Sequence, residues 1–233
     1  MPSFKQRSYQ KEILDRDDIP FEDIKRNMYE LDVINRYLGG HAITIEGLKH
    51  FLKANLHQTS LKIVEIGCGG GDNLRAIKSW CHKKGITVYL TGVDINPQCI
   101  TYAKTRKENA GIEFICSDYR TAQFQDQPHI IFSSLFCHHF TDDELVSMLQ
   151  WMQGKAVLGF FINDLHRHPM AYHSIKVLTQ LFSKSRLVKN DAPLSVQRGF
   201  LKQEMIHLLT KAGITNFSCQ WKWAFRWLIT HKK

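Results

Sequence analysis

No apolar run in this 233-residue chain approaches the ~18 residues needed to cross a bilayer, and no two of its six cysteines form a C-x-x-C pair. The first absence speaks against an integral membrane protein, the second against a zinc knuckle. Cys68, Cys81, Cys99, Cys116, Cys137 and Cys219 lie scattered, as core or near-core thiols of a reducing compartment would. Internal repeats and low-complexity linkers are also missing, so one domain with a cap is expected, long enough to bury a proper core. Residues 1–18 are polar and charged rather than a signal sequence, which makes the cytoplasm the expected compartment. The formal net charge is +9, but the basic residues are diffuse and include no long run or nucleic-acid module. A solvated basic face is the default reading, and nucleic acid is not the expected partner.

What the chain does have is a glycine-rich turn with acidic residues around it. Ile63-Val64-Glu65-Ile66-Gly67-Cys68-Gly69-Gly70-Gly71 reads as a buried strand over 61–66 running into a turn whose backbone can approach a ligand closely. Asp72-Asn73, followed by Leu74, Ile77 and Trp80, supplies a cap and an apolar helix face. A second apolar run, 86–93, ends in Asp94, whose carboxylate can take two ribose hydroxyls. Asp72 stands where the dinucleotide pattern G-x-G-x-x-G needs its last glycine, so that fingerprint is incomplete. Glu65, just before the turn, would repel a pyrophosphate and attract an ammonium and a sulfonium. The electrostatics favour S-adenosylmethionine over NAD or ATP.

From about residue 60 onward the chain resembles the class I S-adenosylmethionine-dependent methyltransferases. Three further segments carry the resemblance in order: Asp94-Ile95, Cys116-Ser117-Asp118-Tyr119, and Ile130 to Phe140 as a fourth strand with its loop. The resemblance implies that Glu65, Gly67, Cys68, Gly69 and Gly71 hold the methionine part and that Asp94 holds the ribose. It implies Asp118 on the adenine amino group and Tyr119 or Ile95 against the ring, with Ser134 and Arg36 as further cofactor contacts. The implied fold is α/β: a Rossmann-like doubly wound sheet of about seven strands, mostly parallel with an antiparallel C-terminal strand, plus a helical cap. Residues 1–58 would form the cap, 59–165 the cofactor core, 166–212 a helical insertion over the acceptor and 213–233 the closing strands.

Apolar spacing predicts helices over 21–38, 45–56, 96–108 and 142–152, and strands over 112–116, 130–134 and 155–162. Thr141-Asp142-Asp143-Glu144 is a capping signal. The tail alternates Trp221, Trp223, Phe225, Trp227 and Ile229, which suggests extended structure with one core-facing apolar side. Ile175, Leu178, Leu181 and Phe182 suggest a helix roofing the acceptor, with nearby lysines able to meet anionic lipid.

Catalytic groups belong at the C-terminal ends of the strands. His139 follows strand four, and Asp164, His166 and His168 follow strand five. A hydroxyl acceptor gains from a base, and imidazole titrates in the useful range, so these four residues are the candidates, with Asp164 orienting His166 or His168. His138 is read as pointing outward. No metal is expected: Ser133-Ser134-Leu135-Phe136 offers no carboxylate for magnesium, and adjacent His138 and His139 are poorly placed to share zinc.

Ile34-Asn35-Arg36, the 164–169 segment and Ser195-Val196-Gln197-Arg198 look like bacterial methyltransferases of the ubiquinone-biosynthesis type. That implies a small phenol or quinol acceptor, with Arg198 or His168 as substrate contacts. The alternatives are an RNA or protein methyltransferase and a non-catalytic S-adenosylmethionine-binding protein.

Overall fold

Strand β1 (Leu61–Ile66) sends Leu61 and Ile63 to one face of the sheet and Val64 and Ile66 to the other, and both faces are covered by helices. The computed structural model describes residues 4–16, 18–52 and 60–233. The other strands are β2 (Val88–Asp94), β3 (Ile112–Cys116), β4 (Ile130–Ser134), β5 (Gly159–Leu165), β6 (Phe217–Lys222) and β7 (Arg226–Lys232). The helices are α1 (Phe21–Tyr37), α2 (Gly40–Leu52), α3 (Asp72–Lys83), α4 (Pro97–Thr105), α5 (Asp142–Lys155), α6 (Pro169–Phe182), α7 (Arg186–Arg198) and α8 (Lys202–Lys211).

The sheet order is β3-β2-β1-β4-β5-β7-β6. Strands β1 to β5 pair in parallel, and β7 enters antiparallel between β5 and β6. Winding reverses between β1 and β4, which opens a crevice at their C-terminal ends. Side chains of α5 and α8 fill one core, and those of α2, α3 and α4 fill the other. Helices α1, α6 and α7 lie at the crevice end, where α1 meets α2, α4 and α7.

Most expected elements are present, with shifts that have local causes. The backbone N–H of Thr141 donates to Glu144 Oε2 at 2.8 Å, so α5 starts where the capping signal puts it. It then runs on to Lys155, and β5 begins only at Gly159. Asp164 therefore lies within β5 rather than after it. The helix expected over 45–56 begins at Gly40, and its stretch beyond Leu52 falls outside the described residues. Segment 170–190 is divided between α6 and α7. Asp72 is the first residue of α3 rather than its cap, because Gly71 occupies that position with a left-handed φ of 73°. The tryptophan-rich tail is not one stripe. It reverses at 223–225, Trp221 pairs across to Trp227, and Trp221 and Trp223 stay exposed while Trp227 is buried.

Candidate active site

The glycine turn follows β1 into α3, with Gly67, Gly69 and Gly71 all at positive φ. A Cβ on Gly67 would overlap the Phe136 ring, and one on Gly69 would stand 3.1 Å from Met28 Sδ of α1. The turn is thus pressed between the β4 loop and the N-terminal helices. Buried Cys68 donates its backbone N–H to Val93 at 3.1 Å, which ties the turn to β2. Asp94 braces it from the side, accepting from Gly69 N at 2.8 Å and from Asn96 N at 2.9 Å. Burial raises the Asp94 pKa, and these two backbone bonds oppose it.

Glu65 is fully buried, and Asn73 Nδ2 donates to its Oε1 at 3.0 Å. Its Oε2 is buried with no partner. Burial, and then the nearby Asp72 charge, hold the Glu65 carboxyl well above its usual range. A buried carboxylate oxygen without a donor, next to a turn open to close backbone approach, fits the ammonium end of S-adenosylmethionine. A pyrophosphate would only add negative charge there.

The remaining cofactor candidates occupy varied settings. Ile95 is exposed beside Asp94. Asp118 is bound to the Arg120 guanidinium, which holds its carboxyl low. Tyr119 is buried edge-on against Phe136, Phe140 and Trp151. Ser134 Oγ accepts from Asn163 Nδ2 at 3.3 Å. Arg36 is exposed in the last turn of α1, 3.9 Å from Asp32 one turn earlier.

The catalytic candidates do not form the group expected. Asp164 pairs with neither His166 nor His168. Its Oδ1 lies 2.7 Å from His138 Nδ1, and its Oδ2 accepts from Phe136 N at 3.2 Å. His168 instead caps α6, accepting from Met170 N at 3.2 Å, and stacks on Phe225. His166 accepts from Trp221 Nε1 at 3.2 Å and packs against Trp227. Burial, reinforced by His168, lowers its pKa. Both rings pack against Phe225 of the β6–β7 turn.

His138 does not point outward. A short 3-10 turn over 137–139 buries it, and His139 follows with a fifth of its side chain exposed. Burial opposes charge on His138, but Asp164 and then Glu12 outweigh it and push its pKa up to about 9. Glu12, in the N-terminal segment, is the residue that sequence reading missed. It is buried, accepts from Ser195 Oγ at 2.6 Å, and lies within 4 Å of both histidines. Arg198 is buried too, donating from Nε to the His138 carbonyl at 3.0 Å, so it supports this polar floor instead of meeting a substrate.

Over the floor lies a cavity of about 300 Å³. Leu31 and Ile34 of α1 with Leu38 just after it, Ala171, Ile175 and Leu178 of α6, and Val188 and Val196 of α7 make most of its wall. Trp223 and Phe225 of the β6–β7 turn close it, and Glu12, His138 and His139 form its polar patch. Helix α1 joins the two halves of the site, since Met28 touches the glycine turn and the neighbouring Asn27 lines the cavity.

Comparison with known proteins agrees with this geometry. Residues 63–154 match the family model described as a methyltransferase domain. The malonyl-[acyl-carrier protein] O-methyltransferase of Bacillus cereus is 22% identical over 175 residues, which covers 75% of this chain but only 62% of that relative's length. In fold, the chain is similar to the plantazolicin methyltransferase bound to SAH and a monoazolic analogue, with a TM-score of 0.63, 16% identity, and 91% and 90% of the two chains covered. It is also similar to human N-acetylserotonin methyltransferase in complex with SAM, with a TM-score of 0.61, 18% identity, and 92% and 56% covered. Residues 63–154 are thus a methyltransferase domain, and the glycine turn, the unpartnered Glu65 oxygen and the flanking Asp94 lie on a fold shared with S-adenosylmethionine-dependent methyltransferases.

Proposed function

We propose that the chain transfers the methyl group of S-adenosylmethionine to the hydroxyl of a small, largely apolar acceptor, a phenol or quinol. The observation that carries this reading is the cavity of about 300 Å³, with a mostly apolar wall and Glu12, His138 and His139 among its polar lining, beside Asn27, Asp191, Ser195 and Arg226. An aromatic ring of modest size suits that volume and lining. The names of relatives span several acceptors, among them a malonyl-acyl carrier protein and a plantazolicin analogue, so the acceptor class is argued from this chain's own walls.

Bound S-adenosylmethionine supplies a methyl already activated on a cationic sulfur. The protein's share is then to hold the acceptor in line, exclude water and take the hydroxyl proton. Glu65 and the glycine turn hold the donor's amino-acid end, Asp94 its ribose, and Asp118 with Ile95 or Tyr119 its base. Helices α1, α6 and α7 exclude water from the acceptor. Glu12 and His139 are the proton-accepting groups nearest the hydroxyl, and Asp164 is a positioning residue acting through His138. The assay is transfer of labelled methyl from S-adenosylmethionine to a panel of alkylated phenols and quinols, with bulk RNA and protein as competing acceptors. Methyl ethers of the small acceptors are the expected product. Label appearing only in RNA or protein would overturn the reading.

A further inference from the structure

The polar floor of the cavity has the spacing of a metal site. The 3-10 turn stacks the His138 and His139 rings 4.5 Å apart with 32° between their planes. His138 Nε2 lies 3.5 Å from Glu12 Oε1 and His139 Nε2 lies 3.8 Å from Glu12 Oε2. One ligand atom from each of the three residues falls within 4.8 Å of the other two. Around a tetrahedral zinc ion with bonds of about 2.0–2.1 Å, neighbouring ligand atoms stand roughly 3.3 Å apart. The two separations from Glu12, one to each of its oxygens, are near that value. They are long for charged hydrogen bonds, which close to about 2.7–2.9 Å.

The far side of each ligand is braced. His138 Nδ1 is 2.7 Å from Asp164 Oδ1, His139 Nδ1 is 3.0 Å from Asp15 Oδ1, and Ser195 Oγ donates to Glu12 Oε1 at 2.6 Å. Imidazoles held this way keep the Nδ1 proton on the carboxylate side and turn the Nε2 lone pair toward Glu12, the arrangement metal-bound histidines need. Charge points the same way. Glu12 and Asp15 flank the histidines, 4.0 Å and 3.8 Å from the Arg198 guanidinium, and Asp164 lies against His138, so carboxylates converge where a cation would sit.

We propose that Glu12, His138 and His139 bind one divalent ion of the zinc class, with its open position toward the acceptor cavity. Two imidazoles and one carboxylate favour zinc or cobalt over magnesium, which prefers oxygen ligands. Such an ion would lower the pKa of an acceptor hydroxyl, and in the metal-bound form this would replace direct proton uptake by Glu12 and His139. That use rests on the proposed function, but the existence of the site does not.

The test is titration of the metal-stripped full chain, saturated with S-adenosylhomocysteine, with cobalt(II) alone. Visible absorption reports four-coordinate cobalt, and calorimetry follows its displacement by zinc. One cobalt per chain is expected, displaced by zinc. Glu12→Gln and His139→Gln should each weaken binding at least ten-fold, and Asp15→Asn, which touches no metal, by roughly ten-fold. With twelve histidines in the chain, adventitious binding is the alternative outcome. Cobalt affinity unchanged in Glu12→Gln and His139→Gln, or no visible bands at all, would overturn the proposal. Glu12→Gln preserves shape, and S-adenosylhomocysteine affinity measured on every variant reports a folded cofactor site. Metal failure with that affinity intact sinks only the ion, whereas failure to bind S-adenosylhomocysteine sinks the methyltransferase reading.

Discussion

At the scale of single residues, Glu65 has the clearest consequence. Its Oε2 is buried without a donor, and its pKa is raised by burial and by Asp72. In the ligand-free protein the folded state therefore holds the Glu65 proton to higher pH than the unfolded chain, whose carboxyl titrates near 4.5. Stability from this group is greatest below that value and falls as pH rises through the raised folded pKa. Donor binding has the opposite sign, because the ammonium pairs with the ionised form and affinity climbs with pH over the same window. Glu65→Gln keeps the bond from Asn73 but loses the charge. We expect donor affinity to drop by about 1.5–3 kcal/mol, roughly ten- to a hundred-fold, and its rise with pH to flatten. Calorimetry with S-adenosylmethionine between about pH 5 and pH 8 checks both, and an unchanged pH slope would count against Glu65 as the ammonium partner. Glu65, Gly67, Gly69 and Asp94 were legible in the sequence because a strand, a glycine turn and the next strand end are neighbours by local geometry alone. Glu12 was not, since only the packing of the N-terminal segment on α7 brings it to the β4 loop, and no periodicity encodes that contact.

At the scale of elements, α2 shows packing overruling propensity. Gly47 sits inside that helix, where replacing glycine with alanine ordinarily gains about 1 kcal/mol. Here a Cβ would stand 2.5 Å from Phe161 Cδ2. The Phe161 ring has no freedom to give way, because it is fully buried and stacks on Phe132 at 4.8 Å with 7° between planes. Gly47→Ala should therefore destabilise, by about 1–3 kcal/mol in denaturant unfolding. Donor affinity should fall as well, since Thr44 of the same helix donates to Asn73 Oδ1 at 3.1 Å and Asn73 holds Glu65. Helix α6 offers a complementary case. Ile175 lines the cavity and is remote from the glycine turn, so Ile175→Trp should fill acceptor space. We expect kcat/KM for a phenol to fall at least ten-fold, about 1.4 kcal/mol, with S-adenosylhomocysteine affinity within about two-fold of the parent. An equal loss in both measurements would mean that the helix, rather than the pocket, had been disturbed. The strands of this fold were readable from short apolar runs. The β6–β7 reversal was not, because its Trp223-Ala224-Phe225 carries none of the glycine, asparagine or proline chemistry that marks turns.

At the scale of the whole molecule, charge and exposed apolar surface coincide on one side. Helix α6 turns Ala171 and Ile175 into the cavity, while Met170, Val177, Leu181 and Phe182 stand exposed, as does Trp223 of the β6–β7 turn. Leu178 belongs to both, lining the cavity while 40% exposed. Lys176 lies on the same helix, Lys184 and Arg186 follow it, and the chain as a whole carries +9. An apolar helix face rimmed by basic residues suits an anionic bilayer surface, and it would bring a lipophilic acceptor to within one helix of the cavity. Among the described residues, no helix is long and apolar enough to cross a membrane. We expect the protein to co-sediment with vesicles containing anionic phospholipid, to do so weakly with purely zwitterionic ones, and to lose binding as salt rises. Burying a leucine or phenylalanine contributes about 1.5–3 kcal/mol, so partial insertion of two such side chains amounts to roughly 3 kcal/mol, or about a hundred-fold in partitioning. Leu181→Ser combined with Phe182→Ser should remove most of that while leaving S-adenosylhomocysteine binding intact, because neither side chain lines the cavity. If the double variant partitions like the parent, α6 is not the docking face. If neutral and anionic vesicles bind equally, the basic rim plays no part in it.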